Sequence, residues 1–93
     1  MRNRALRVSA LRITPPSPGD QDRGLVAFLK FRVGGIELDG VTLRRRRDGR
    51  LAICYPSRRD ARGRRHPFVR FGEAERRSVE RQVLEILGAE VSP

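Results

Sequence analysis

Between Gly24 and Val33 the chain alternates with a period of two: Leu25, Ala27, Leu29, Phe31 and Val33 share one face, and Val26, Phe28, Lys30 and Arg32 the other. That is the period of a pleated strand with one buried face, and Val26 and Phe28 make its first half apolar on both sides. Gly34-Gly35 supplies a two-residue turn into the next strand, where Ile36 and Leu38 are in phase and Val41 and Leu43 fall one step out. Gly40 sits at the slip, which predicts a bulge there. Upstream, Leu6, Val8 and Ala10 alternate with polar neighbours, predicting a first strand over Ala5 to Ile13 with those three residues on its buried face. Pro15, Pro16 and Pro18 forbid a ladder, so positions 14–23 are expected to form a long exposed connection.

Asp48-Gly49 is a strong hairpin signal, and a two-residue turn there would set Arg47 directly opposite Arg50. A fourth strand follows over Leu51 to Tyr55 and is stopped by Pro56. Ser57 to Arg65 reads as a polar loop, and His66 to Phe71 as a short extended piece returning at an edge, the only place Pro67 fits. From Glu73 to Leu87, Val79, Val83, Ile86 and Leu87 recur at helical spacing, with Leu84 broadening the stripe, Gly88 as the stop and 88–93 as a tail. These elements predict one α+β domain over 1–93, an antiparallel sheet of four to five strands with one C-terminal amphipathic helix.

Charge changes the picture. Of the net +10, +9 falls between Arg44 and Arg70, where eleven arginines face only Asp48 and Asp60. Self-repulsion at that density points to a polyanionic partner, and nucleic acid is the expected one. Lys30 is the only lysine; arginine suits bidentate phosphate and guanine contacts, and although GC-rich coding also favours it over lysine, coding bias does not cluster it. The clusters Arg44, Arg45, Arg46, Arg47 and Arg50, and Ser57, Arg58, Arg59, Arg62, Arg64, Arg65, His66 and Arg70, flank the fourth strand about 15 to 20 Å apart at ~3.3 Å per residue. Each has the bland reading of a solvated, edge-protecting charge cluster. Their pairing around one strand favours a shared ligand. Arg77 and Arg81 lie one turn apart on the outer face of the helix, but Glu73, Glu80 and Glu85 are placed to neutralise that face, which ranks it below the loops.

Little supports catalysis. His66 is the only histidine and Cys54 the only cysteine, Cys54 lies in an apolar run that predicts a buried thiol, and neither has companions at metal-ligand or triad spacing. The glycine pairs lack the context of a phosphate loop. No enzyme activity, metal, cofactor or small-molecule substrate is expected. No apolar run approaches a membrane span, and the basic Met1 to Arg4 is not followed by one, so a cytoplasmic protein is expected, with nucleoid association left open.

The run Leu51-Ala52-Ile53-Cys54-Tyr55-Pro56-Ser57-Arg58-Arg59, then a glycine-bearing loop, His66-Pro67-Phe68 and a helix, resembles the stage V sporulation protein G (SpoVG) family of bacteria. The likeness covers about Ala5 to Leu87, and Pro56-Ser57-Arg58 with His66-Pro67 is its most specific part. It implies a small α+β domain that dimerises and binds DNA, and in some members RNA, as a regulator linked to septation and sporulation. It also implies contacts from Ser57, Arg58 and Arg59 and from the helix bearing Arg76, Arg77 and Arg81. The segment between Arg59 and His66 is shorter than is usual there, the connection over 14–23 is longer, and the Arg44 to Arg47 block is more basic. A divergent member is expected, binding nucleic acid as a homodimer; the alternative is a module docking an acidic protein partner.

Overall fold

The computed structural model describes residues 6–91, with side chains through residue 88; Met1 to Ala5, including the basic start and the first residue of the expected strand, lie outside them, as do residues 92–93. The chain runs β1 (Val8–Thr14), α1 (Pro18–Asp22), β2 (Leu25–Val33), β3 (Ile36–Arg45), β4 (Leu51–Cys54), β5 (Ser57–Arg59), β6 (Arg65–Pro67) and α2 (Glu73–Val91). An antiparallel sheet in the order β1-β2-β3-β4 carries α2 on one face, and β5 and β6 form a separate two-stranded sheet. The class is α+β, as the alternation predicts.

The core lies between that sheet and α2. Ala27, Leu29, Phe31 and Val33 of β2 pack with Leu38, Val41 and Leu43 of β3 and with Val79, Val83 and Leu87 of α2. Each fully buried side chain of this size contributes about 1.5–3 kcal/mol from desolvation. The predicted bulge is at Gly40: Leu29 pairs with Val41 but Phe31 with Leu38, and Gly40 takes φ 78° while its N–H donates to Asp39 Oδ1 at 2.8 Å. That extra residue brings Leu38 and Val41 onto one buried face. The opposite face is left open and carries Thr14, Phe28, Thr42 and Cys54 in one row across all four strands.

Several expectations are corrected. Ala10 is exposed, not buried. Ser9 pairs with Arg32 and Arg12 with Lys30, so Ala10 and Leu11 together oppose Phe31, and the left-handed turn at Ala10 (φ 54°) lets Leu11 reach the core in its place. The proline-rich connection holds the one-turn α1, because Ser17 Oγ accepts from Asp20 N and Pro18 occupies the first turn; Pro16 within it is buried. Cys54 is exposed, since its position in β4 faces the open side opposite Thr42. Gly88 does not end the helix, which continues to Val91: only a left-handed glycine makes that cap, and Gly88 is not among the positive-φ glycines. Ser57–Arg59 is a strand rather than loop, and the returning segment pairs with it, not with the edge of the larger sheet.

The neutral amide of Gln82 on α2 holds the start of β1. Its Oε1 accepts from Val8 N at 2.9 Å and its Nε2 donates to Leu6 O at 2.6 Å. At the opposite edge of the sheet, just past β4, Tyr55 OH donates to Glu80 Oε2 at 3.0 Å, and its ring meets Phe71 edge-on at 5.6 Å. Burial, then the neighbouring Glu80 charge, pushes the Tyr55 hydroxyl well above its ordinary range, so it stays a donor. The Cα radius of gyration, 14.2 Å, exceeds the ~12 Å expected of a packed chain of this length.

Candidate nucleic-acid interface

The first basic arm is the β3–β4 hairpin. Its pairs run Leu43 to Ile53, Arg44 to Ala52 and Arg45 to Leu51, so the next across is Arg46 with Arg50, not Arg47 with Arg50. The loop is therefore three residues, Arg47-Asp48-Gly49. Asp48 Oδ1 accepts from Arg50 N at 2.9 Å and Gly49 takes φ 87°, which together select a type I turn followed by a left-handed glycine. Alternation places Arg44 on the open face and Arg45 on the helix side, where it and Arg50 border an apolar groove of about 650 Å³ that includes Ile13, Leu51 and Leu84. Arg45 Nη1 donates to Gly49 O at 3.1 Å; Arg46, Arg47 and Arg50 are exposed at the tip.

The second arm is the β5–β6 hairpin, in which Arg58 faces His66 and Arg59 faces Arg65. Here again two like charges sit directly opposite, at a cost of several tenths of a kcal/mol. Asp60 organises the loop: Oδ1 accepts from Arg62 N at 2.8 Å and Arg64 N at 2.9 Å, and Oδ2 lies 2.8 Å from His66 Nε2. The His66 hydrogen bond, then the backbone amides, hold the Asp60 carboxyl below its usual range. Arg62 and Arg64 project from the loop, Arg70 is exposed just beyond the arm, and Ser57 is half-buried opposite Pro67.

The two acids of the basic segment are thus engaged with backbone amides and His66, and none of the eleven arginines from Arg44 to Arg70 is ion-paired among the described residues. On α2 the pattern reverses: Arg76 bonds Glu73 and Glu80, and Arg77 lies 3.9 Å from Glu73. Arg76 holds the Glu73 carboxyl low. Arg81 has no carboxylate at salt-bridge distance among the described residues. Lys30 and Arg32 on the open face share Glu37.

Among the described residues no group of three potential metal ligands exists, and no helix is long and apolar enough to cross a membrane. Two exposed side chains beside the second arm, Phe68 and Ile36, are given no site role by the sequence, which sets Ile36 in phase with the buried Leu38. Their apolar character hides them there, because a phenylalanine or isoleucine in a small domain is ordinarily core. Compared with known proteins, the chain matches no family model, no curated protein and no solved structure.

Proposed function

We propose that the protein binds nucleic acid without catalysis, gripping phosphates with two arginine-bearing hairpins, as a regulator of the kind the SpoVG resemblance implies. The observation that carries this is the contrast in pairing: Arg76 and Arg77 on the helix are matched to glutamates, whereas the arginines of the arms are left free for an external anion. The register Ser57 to Pro67 also sets Pro56-Ser57-Arg58 beside His66-Pro67, which supports treating the most specific parts of the resemblance as one unit.

With about six duplex phosphates engaged, log affinity falls against log salt with a slope near −5, at ~0.9 per phosphate. Anisotropy titrations of a labelled oligonucleotide read that slope; binding indifferent to salt rejects the proposal. Changing Arg58 and Arg59 to Ala weakens binding more than changing Arg77 and Arg81, and the reverse ranking would move the interface to the helix. A second copy bound across the open face, where Phe28 is 39% exposed, would set two pairs of arms along one ligand. Light scattering at twice 10.6 kDa supports that dimer, and a monomer that still binds removes it.

The groove beside Arg45 and Arg50 favours a second reading, an acidic protein segment with apolar side chains. Retention of such a peptide, with no oligonucleotide bound at any salt, would replace the first reading with this one.

A further inference from the structure

Phe68 and Ile36 are 65% and 66% exposed, more than any other large apolar side chain described. The fold buries its other aromatics better: Phe31 is wholly enclosed and Phe71 packs on Tyr55. Leaving a phenylalanine ring in water forgoes a desolvation gain among the largest any side chain offers. The two lie on one cleft of about 410 Å³, floored by Leu38 and Phe71 and bordered by Arg70.

The place of Phe68 in the chain ties this cleft to the second arm. Its N–H donates to Pro56 O at 3.0 Å, adding one pair to the β5–β6 ladder, so the ring leaves from the root of the hairpin that carries Arg58, Arg59, Arg62, Arg64 and Arg65. The backbone is pinned and the ring is free. An exposed aromatic at the foot of a cationic strip is the pairing that single strands use, with phosphates on the arginines and a base face on the ring. A duplex has no base face to offer, because each is covered by its neighbours in the stack. The groove beside the first arm has no aromatic ring.

The geometry points to Phe68 as a stacking platform for an unpaired base, with Ile36 across the cleft and Arg70 at its rim, so that the favoured ligand is single-stranded nucleic acid. This rests on the nucleic-acid reading above and specifies it. The test compares wild type, Phe68→Leu and Phe68→Tyr on one oligonucleotide carrying 2-aminopurine, single-stranded and as a duplex, across a salt series. Wild type binds the single strand more tightly and quenches the fluorescent base. Phe68→Leu loses about tenfold on the single strand and nothing on the duplex, Phe68→Tyr keeps both, and the salt slope is unchanged in all three. Unaltered single-strand affinity in Phe68→Leu, or an equal loss on the duplex, overturns the stacking role while a steep salt slope keeps the arms as the interface. Absence of salt-dependent binding to either form overturns both.

Discussion

In the β3–β4 hairpin Arg46 N donates to Arg50 O and Gly49 N to Arg46 O; in the β5–β6 hairpin Asp60 N donates to Arg64 O and Gly63 N to Asp60 O. Both loops have three residues and end on a left-handed glycine, Gly49 at φ 87° and Gly63 at φ 80°. The same turn therefore presents both sets of arginines. What stands behind the turn differs. Leu43 and Ile53 root the first arm in the core, whereas the second arm is a two-stranded sheet with only Ser57 shielded, too small to persist by itself in water. Its order rests on Asp60 and on the Phe68 bond to Pro56. The first arm is expected to fall only with the whole domain, and the second to open alone.

The largest effect expected is from Leu43→Ala, which removes a buried side chain beneath the first arm and costs about 2–5 kcal/mol. Urea unfolding followed by hydrogen exchange should show every β3 and β4 amide losing protection together. Selective opening of that arm would break the comparison. Next come the glycines: alanine in a left-handed turn costs about 1–2 kcal/mol. Gly49→Ala should lower the global urea midpoint, whereas Gly63→Ala should leave it in place and raise exchange in residues 57–67. Equal shifts of the midpoint would mean that the arms are equally coupled to the core.

The smallest effect is that of acid on the second arm. Because the Asp60 carboxyl titrates below its ordinary 3.8, the order it lends is present above that value and is lost as pH falls through the lower folded value. The amide resonances of Arg62 and Arg64 should move in that window. In Asp60→Asn, with no carboxyl to titrate at that position, the movement should vanish; its persistence would assign the step to another group.

The legible parts of the fold are those where local pattern and final packing agree. Leu25 to Val33 alternates because one face is buried along its length, and the phase slip at Gly40 is visible because residues on both sides of it enter the same core. The arginine clusters were legible as charge, but their geometry was not. The tip at Asp48-Gly49 is located from its residues, yet its length is set by one carboxylate reaching the Arg50 amide, which shifts the opposed pair by one residue. Ser57–Arg59 has no alternation to display, since the partner that makes it a strand lies beyond a loop. Ala10 misleads because its bulge answers to Phe31 on the next strand. Phe68 is placed by the sequence only within a short extended piece, and its exposure is not legible there, since burial is a property of the assembled neighbours.

Gln82 gives the molecule an order of assembly. Two backbone groups at the start of β1, Val8 N and Leu6 O, find their partner on a side chain 74 and 76 residues further on, in the last helix of the chain. The earliest part of the described chain to leave a ribosome is thus fastened by one of the latest, and residues 6–8 gain that partner only once α2 has docked. Being an uncharged amide, the latch does not answer to the ionic strength that governs a grip on phosphate, so a rise in salt that strips off a ligand leaves this closure of the chain in place.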